Sequence, residues 1–283
     1  MTIDKEIHQE LRERFNPEGS ERRRVQLREL EILKAIDEVA KRHGIVYWLS
    51  SGTLLGAMRH DGFIPWDDDI DIELMRDQYL KLIPLLEKEL PEQFKVQTPE
   101  TDKGYSFPQT RICDTLTETT PAFSGSKFSQ YKGLFVDIFS IEPQLKVTNW
   151  LGIWYQVVIN RCNMFRARHD WAIVRWIGKA FMAARDTVVF PTLRAISKLF
   201  GATKLMHSYG NKFPTPPRPA DVYPILTHKF EDFDAPIPQN WDAMLRSIYK
   251  DYNRIPDLSH IHKHSLGVKF LDDPAGTDTE NKL

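Results

Sequence analysis

Four aspartates fall within five positions of the run FIPWDDDIDIE, at residues 63–73. They are Asp67, Asp68, Asp69 and Asp71. Because successive side chains of a β-strand point to opposite faces, Asp69 and Asp71 would share one face, with Cα atoms roughly 6.6 Å apart. Two carboxylates this close repel each other unless a cation lies between them, and carboxylate oxygen suits Mg²⁺ and Mn²⁺. The run therefore predicts a divalent metal site that handles phosphate, with a solvated acidic loop as the alternative.

Two further features fit phosphate chemistry. Ser51, Gly52 and Thr53 form a turn that opens a short helix, and such a turn presents backbone N–H groups to phosphate. Asp137 interrupts the apolar run LFVDIF, and a lone carboxylate in a buried strand is costly unless it is paired or bound to metal. Capping of a loop at the strand end is the other interpretation of Asp137. Carboxylates on two neighbouring strands can hold two divalent ions, which predicts phosphoryl or nucleotidyl transfer.

Several nearby residues have two possible uses. Asp67 shares the parity of Asp69 and could reach a metal, whereas Asp68 points the other way and would orient the loop. Arg59 could contact phosphate or lie on the surface. Arg111, on a predicted strand, could bind phosphate through both arms of its guanidinium or form a salt bridge. Trp66 is interpreted as a plug of the turn.

The surrounding pattern supplies elements that would position these residues. Apolar spacing predicts a helix over 21–43 that Gly44 ends, and a second helix over 76–90 that is interrupted or begun near Pro84. Strands are predicted at 45–50, 69–74, 94–97, 105–113 and 131–141. Further along, 148–206 has a helical pattern that Pro191 would break, and 240–252 is one more helix.

The bulk properties are those of a globular protein of 283 residues with a net charge of −1, which gives no general reason to bind nucleic acid. Two cysteines, Cys113 and Cys162, make no disulfide framework and fit a reduced cytosolic setting. No apolar signal core and no apolar run of membrane-spanning length is present. We expect a cytoplasmic protein, or one held peripherally at the inner membrane face.

The near-zero net charge conceals an asymmetry. Residues 150–204 contain nine Lys or Arg and two acidic residues, a net charge of +7 that leaves −8 for the rest of the chain. The same region is rich in tryptophan. It is either a helical subdomain with its tryptophans in a core, or a surface that meets anionic lipid headgroups.

The run YWLSSGTLLGAMRHDGFIPWDDDIDIELMRDQY closely resembles the signature of the LicD family, phosphocholine transferases and fukutin-related enzymes that modify glycans. Weaker similarity continues in SFPQTRICDTLTET, GLFVDIFSIE and FEDFDAPIPQNWDAMLRSIYKDYNRIP, where Tyr-Lys-Asp-Tyr stands for the more usual Tyr-Gly-Asp-Tyr. The resemblance touches most of the chain except 142–210 and the tail, and it implies an α+β, nucleotidyltransferase-like mixed sheet with flanking helices, to which the helical pattern adds an insert. We expect a catalytic core over 21–147, the helical insert over 148–210, a C-terminal segment over 211–271 that packs on the core and, from its polar composition, a disordered tail over 272–283.

The resemblance also implies a reaction: a phospho-substituent, foremost phosphocholine, passes from a CDP-linked alcohol donor to a sugar hydroxyl of a glycan, which can be lipid-linked. Asp69, Asp71 and Asp137 would be catalytic and, with Asp67, would bind Mg²⁺ or Mn²⁺. Asp137 could also act as the base for the acceptor hydroxyl. The donor phosphates would lie on a set comprising Ser51, Gly52, Thr53, Arg59 and Arg111. For a choline donor, the candidate aromatic residues are Trp48, Tyr105, Phe107 and Tyr131, although a core role is the competing use of each.

Three alternatives stay open from sequence. The transferred group could be ribitol or glycerol phosphate. The same metals could serve a two-metal phosphohydrolase or nuclease. A non-catalytic relative could act as a scaffold, although facing carboxylates without a metal would only destabilise it.

Overall fold

The structure is a computed structural model that describes residues 5–121, 128–169, 171–212, 219–258 and 265–273. The helices are α1 (Lys5–Phe15), α2 (Glu21–Arg42), α3 (Ser51–His60), α4 (Arg76–Glu89), α5 (Lys146–His169), α6 (Ala172–Ala184), α7 (Phe190–Leu199), α8 (Pro219–Val222) and α9 (Trp241–Tyr249). The strands are β1 (Trp48–Leu49), β2 (Ile70–Met75), β3 (Phe94–Gln97), β4 (Thr110–Asp114), β5 (Thr117–Pro121), β6 (Phe135–Pro143), β7 (Leu205–His207), β8 (Leu226–Phe230), β9 (Phe233–Ile237) and β10 (Ser265–Phe270).

The central sheet is mixed, and this confirms the predicted fold class. Its order is β1-β2-β6-β4-β3, and β7 pairs with the end of β6. β2 and β6 run parallel, whereas β1, β4 and β7 pair with their neighbours in the antiparallel direction. Two small two-stranded antiparallel sheets, β5 with β10 and β8 with β9, lie outside it.

One face of the sheet carries apolar side chains and packs against α2 and α4. The side chains that share this core are Leu30, Leu33, Ile36, Ile70, Ile72, Leu74, Leu82, Ile112, Val136 and Ile138. α2 begins where Ser20 accepts a hydrogen bond from the N–H of Arg23, as expected for a serine N-cap. Since side chains alternate along a strand, Asp71 and Asp137 must lie on the opposite face.

Several predicted boundaries differ from the structure. The 45–50 strand shortens to Trp48–Leu49, and the 105–113 strand begins at Thr110. The acidic strand begins at Ile70, so Asp67, Asp68 and Asp69 precede it and strand parity does not fix their directions. Local residue preference could not place these ends, because they depend on which neighbouring strand is available for pairing.

Two prolines behave differently from the sequence prediction. Pro84 lies inside α4 without ending it. Pro191 does not break the last helical segment: it lies in the first turn of α7, directly after a π-helical turn at Arg185–Val189. Proline is tolerated in a first helical turn, where its missing N–H would have no partner within the helix.

The C-terminal segment packs on the core through α3, which contacts both α9 and β8. Glu231, in the turn between β8 and β9, accepts a hydrogen bond of 3.1 Å from the N–H of Phe63. Of the tail predicted to be disordered, Asp272 and Asp273 form ion pairs with Arg28 and Arg24 of α2. Residues 274–283 lie outside the described part of the chain.

The insert leaves the core after β6 and returns through β7. Its helices α5 and α6 contact each other, and α5 also contacts α7. Within the described ranges, none of the helices has the length and apolar character that a bilayer crossing requires.

Candidate active site

The site is built on one row of residues across three neighbouring strands. Asp71 of β2 is the Cα partner of Asp137 of β6, and Asp137 is in turn the partner of Arg111 of β4. Residues in register on adjacent strands project from the same face of a sheet. The sheet therefore brings together two of the three predicted catalytic carboxylates, from sequence positions 66 residues apart.

Arg111 is held in that row by charge and by aromatic rings. Its Nε lies 2.9 Å from Asp137 Oδ1, and its Nη2 lies 3.3 Å from Oδ2. The guanidinium also lies 3.8 Å from the ring centre of Phe135 and 5.3 Å from that of Phe107. Although burial opposes the charged form, Asp137 raises the pKa of Arg111. Of the two predicted uses of Arg111, the structure contains the salt bridge.

The Ser51–Thr53 turn begins α3 directly beside this row. The hydroxyl of Thr53 accepts a 2.8 Å hydrogen bond from the N–H of Asp71, and the Asp71 carbonyl accepts one of 3.0 Å from the N–H of Ser50. The side chain of the N-cap residue Ser50 makes no capping hydrogen bond. Ser51 has a φ of 49°, in the left-handed region that is uncommon for residues other than glycine. The predicted phosphate turn thus adjoins Asp71.

The side chain of Asp67 lies close to Gly52. A Cβ atom on Gly52 would lie 2.8 Å from Asp67 Oδ2, closer than real Cβ contacts allow. The other oxygen of Asp67 accepts a 3.3 Å hydrogen bond from the N–H of Asp68. The acidic loop therefore folds back over the start of α3.

The negative charge of the acidic loop affects the pKa values of two residues that are distant from it in sequence. Burial, and then the charges of Asp69, Asp68, Asp67 and Asp71, raise the pKa of Glu29 on α2. Glu29 is 2 % exposed, and its Oε2 has no hydrogen-bond partner. Burial, followed by Asp67, Asp71 and Asp69, likewise raises the pKa of the Tyr249 phenol, although 38 % of this residue is exposed. The aspartates thus act as one concentrated centre of negative charge.

The carboxylates of the acidic loop and Asp137 fit a divalent cation in part. Within the described ranges, no three His, Cys, Asp or Glu side chains converge closely enough to hold a metal ion. Mg²⁺ commonly needs only one or two protein carboxylates together with substrate phosphates. Asp69 and Asp71 meet that requirement in chemistry, whereas both oxygens of Asp137 are bound to Arg111. Asp137 would have to exchange Arg111 for a metal before it could complete the predicted set.

Arg59 has partners that the sequence did not suggest. Only 3 % of it is exposed, so the predicted surface alternative is wrong. Its Nη1 donates a 2.9 Å hydrogen bond to the carbonyl of Tyr252, and its Nε donates one of 2.9 Å to His60. Burial lowers the pKa of Arg59 to about 10. The phosphate contact of Arg59 stays a prediction; the contact present here fastens α3 to the turn after α9.

Sequence reasoning missed Glu73, which is two residues after Asp71 on the same face. Its carboxylate accepts hydrogen bonds from Trp48 Nε1 (3.0 Å), Ser50 Oγ (2.5 Å) and His207 Nε2 (2.7 Å). Burial disfavours its charge, but His207 and the other donors together lower the pKa of Glu73. This network joins β1, β2 and β7 behind the site. The alternation Asp71–Glu73 was a usable signal for an acid on the same face.

Tyr249 and Lys250 were also missed as site neighbours. Lys250 has a φ of 57°, in the region that favours glycine. This conformation ends α9 and leaves Tyr249 near the acidic loop.

The predicted aromatic residues have structural roles. Trp66 is buried, as expected for a plug, and its ring lies 5.8 Å from the guanidinium of Arg59. Trp48 and Tyr105 are fully buried, and Phe107 packs with Tyr105 beside Arg111. A core role accounts for Trp48 and Tyr105, so neither is available to enclose a choline group.

Comparison with known proteins gives the site a family. Residues 44–171 match the family described as LicD/FKTN/FKRP, nucleotidyltransferase domain. The matched segment contains β1, the α3 turn, the acidic loop, β4 and β6. Every residue of the Asp71–Asp137–Arg111 row thus lies inside it.

Three relatives illustrate the range of similarity. The lipopolysaccharide cholinephosphotransferase LicD of Haemophilus influenzae is 37 % identical over 118 residues, which cover 41 % of this chain and 44 % of that protein. The human ribitol 5-phosphate transferase FKRP is 45 % identical over 42 residues, 15 % of this chain and 8 % of that protein. The yeast mannosyltransferase regulator 4 is 24 % identical over 119 residues, 42 % of this chain and 9 % of that protein. The chain spans less than half the length of each of these relatives.

Proposed function

Residues 44–171 match the LicD/FKTN/FKRP family of nucleotidyltransferase domains, and on this premise we propose that the protein transfers a phosphorylated alcohol from a CDP-linked donor to a sugar hydroxyl of a cell-surface glycan. The observation that carries the proposal is the register pairing of Asp71 with Asp137 beside the N-terminus of α3. A helix N-terminus attracts phosphate, and paired carboxylates attract the cation that accompanies it.

Phosphocholine is the group we favour. The bacterial relative with the longer and more significant match is named a cholinephosphotransferase, whereas the human relative is named a ribitol 5-phosphate transferase. Ribitol phosphate and glycerol phosphate are therefore the alternatives for the same site.

The start of α3 would hold the donor phosphates. Its backbone N–H groups carry the partial positive charge of a helix N-terminus, and the Ser50 side chain does not cap them. The left-handed φ of Ser51 would present the turn, and Gly52 leaves room between the backbone and Asp67. The hydroxyl of Thr53 links this turn to Asp71.

Asp69 and Asp71, with Asp67 nearby, would bind Mg²⁺ or Mn²⁺. When bound, the ion would neutralise charge on the phosphates and on the reacting oxygen. Burial, and after it the charges of the aspartates, raise the pKa of Glu29 and Tyr249; the contribution of the aspartates is consistent with a cation at this position.

Arg111 and Asp137 would change partners during the reaction. In the structure, the guanidinium of Arg111 contacts both oxygens of Asp137. A donor phosphate offers the same planar group two negative oxygens, so it would compete for Arg111. Release from Arg111 would leave Asp137 able to accept the proton of the acceptor hydroxyl.

The proposal is tested by nucleotide release. The protein is incubated with CDP-choline, CDP-ribitol or CDP-glycerol in the presence of Mg²⁺, with and without a glycan acceptor, and CMP is measured. We expect CMP only when both a matching donor and the acceptor are present. A matching donor at a hundredfold its dissociation constant should also stabilise the fold by roughly 2.7 kcal/mol.

Other results would point to other functions. CMP release that is equally fast without any acceptor would favour the phosphohydrolase alternative. Absence of both donor binding and CMP release, across donors and metals, would contradict the proposed transfer.

A further inference from the structure

Helix α5 has its polar side inward. Thr148 and Gln156 are buried, whereas Trp150 and Trp154 are 62 % and 56 % exposed. The Thr148 hydroxyl lies 2.7 Å from Ser197 Oγ, and Gln156 Nε2 donates a 3.0 Å hydrogen bond to the carbonyl of Ser106. Apart from Ile159, which is fully buried, the arrangement differs from an ordinary amphipathic helix of a globular protein, which buries its apolar stripe.

Close packing fixes this orientation. A Cβ atom on Gly152 would lie 2.8 Å from Cδ1 of the Tyr209 ring, so α5 meets the core through its glycine. Gln156 also accepts a 2.9 Å hydrogen bond from Nη1 of Arg185, which is itself buried. Rotating α5 to hide its tryptophans would break these contacts and bury other polar groups.

The exposed apolar residues form a stripe with helical spacing. On α5 they are Val147, Trp150, Leu151, Trp154, Val157, Met164 and Phe165. On α6 and just before it they are Trp171, Ile173, Trp176 and Ile177. The ring of Phe165 meets that of Trp171 edge to face at 5.8 Å, so the stripe continues from α5 across the connection into α6. We call these eleven residues the tryptophan stripe.

The charges around the tryptophan stripe are basic. Arg161 is exposed on α5, and Arg175 and Lys179 are exposed on α6 on either side of Trp176. The only acidic residues in 150–204 are Asp170 and Asp186, and Asp186 is paired with Arg185. At a membrane interface, tryptophan lies at the level of the headgroups, and Lys and Arg meet anionic lipid.

We propose that the tryptophan stripe is a docking surface for an anionic lipid membrane, on which α5 and α6 lie in the plane of the interface. α5 is a helix of 24 residues, within the length range of many interfacial helices. A second copy of the chain is a poorer occupant, because its own insert also has a charge of +7. The surface is separate from the Asp71–Asp137–Arg111 row and does not depend on the proposed reaction.

Flotation with lipid vesicles tests this surface on the full chain. The vesicles contain either phosphatidylcholine alone or equal parts of phosphatidylcholine and phosphatidylglycerol. We expect binding to the anionic vesicles only, and weaker binding as salt rises. The triple variant Trp150→Gln, Trp154→Gln, Trp176→Gln should bind no better than the wild type binds to phosphatidylcholine.

Charge is tested separately from the aromatic rings. Arg175→Glu combined with Lys179→Glu should weaken binding by at least about 30-fold, because each basic residue near an anionic surface contributes about 1 kcal/mol. The matched charge control is Lys81→Glu with Lys88→Glu, two exposed lysines of α4. Leu226→Gln with Leu271→Gln is the control for exposed apolar residues outside the insert. Both control variants should bind as the wild type does.

Three results would overturn the proposal. They are no binding of the wild type to anionic vesicles, equal binding by the wild type and the tryptophan variant, and equal binding to neutral and anionic vesicles. A wild-type dimer that the tryptophan variant converts to a monomer, with no vesicle binding, would assign the stripe to a second copy instead. Asp71→Asn should retain vesicle binding, so failure of the proposed reaction and failure of docking are distinguishable.

Discussion

The two most unusual regions of the molecule break the normal rule of burial in opposite directions. On the central sheet, charged residues are removed from solvent. Glu73 is buried, and the row of Asp71, Asp137 and Arg111 is partly buried. On the insert, apolar residues are turned outward, and Trp176 is 67 % exposed. Both arrangements cost stability when the protein is alone. The difference matches the two proposals, in which the sheet binds a cation and phosphates and the insert binds an apolar, anionic surface.

The largest effect is expected from substitution of Asp71 on the central sheet. If its carboxylate serves the reaction, Asp71→Asn should lower the transfer rate by on the order of a thousandfold, because charge stabilisation at the reacting phosphate would be lost. The free energy of unfolding should change little, since the substitution removes one of several repelling charges. CMP release and urea unfolding measure the two effects. Asp68→Asn is the matched control in the same loop, and similar loss in both variants would argue against a specific role for Asp71.

Substitution of Glu73, which is buried next to the site, should lower the stability of the fold. Glu73→Gln removes the charge that His207, Ser50 and Trp48 surround, and should lower the free energy of unfolding by about 3 kcal/mol. Urea unfolding measures this loss. Glu118→Gln, at an exposed position of β5, is the control and should be close to neutral. Equal stability of Glu73→Gln and the wild type would mean that the network does not hold β7 to the sheet.

Acid should destabilise the fold through His60 of α3, whose Nδ1 lies 2.9 Å from Nδ1 of His8 on α1. Burial, followed by the neighbouring Arg59 and His8, lowers the pKa of His60 from 6.5 to about 3. Between these values the unfolded chain binds a proton that the folded chain does not, so stability falls as pH falls below 6.5. The expected slope is about 1.4 kcal/mol per pH unit from this group. Unfolding of the wild type and of His60→Asn, compared across this range, should show the shallower slope in the variant. Parallel slopes would remove His60 as the cause.

A smaller and opposite effect is expected at the end of α9. Lys250 holds a φ of 57°, which glycine adopts without the steric cost that other residues incur. Lys250→Gly should therefore raise the free energy of unfolding by up to about 1 kcal/mol. Lys81→Gly, in the middle of α4, should lower it by about 1 kcal/mol. Destabilisation of similar size at both positions would show that the turn after α9 is not strained.

The smallest effect should be found on the tryptophan stripe. Trp150→Gln and Trp176→Gln should change the free energy of unfolding by less than about 0.5 kcal/mol, as is usual for exposed positions. Thermal or urea unfolding without lipid is the measurement. A loss of several kcal/mol would show that these tryptophans stabilise the isolated protein, and would remove the contrast with the sheet.

Much of the site was predictable because its determinants are local. Asp-x-Asp beside isoleucines, the Ser-Gly-Thr turn and the single acid in LFVDIF each indicate their own chemistry, and together they predict a phosphate site. Arg111 was predictable only as one of two alternatives. Its choice of Asp137 depends on antiparallel pairing of β4 with β6, which no local pattern specifies.

Other features depended on contacts between distant segments. Glu29 and Tyr249 reach the acidic loop from opposite ends of the chain, and Arg59 turns inward because the segment after α9 offers it the carbonyl of Tyr252. The burial of the polar side of α5 likewise depends on Ser197, Tyr209 and Arg185. Periodicity in α5 alone does not reveal which side the core will accept.

The sequence by itself determined the chemistry available to this protein: which carboxylates are close along the chain, which turn can face phosphate, and that the insert is basic and rich in tryptophan. These properties follow from residue type and spacing, which the fold does not alter. Only the tertiary structure decided which groups meet. Register between strands set Asp71 opposite Asp137 and Arg111, and packing of α5 by its polar side left the tryptophans exposed. Pairing and burial are competitions among all segments of the chain, so their outcome is a property of the whole molecule.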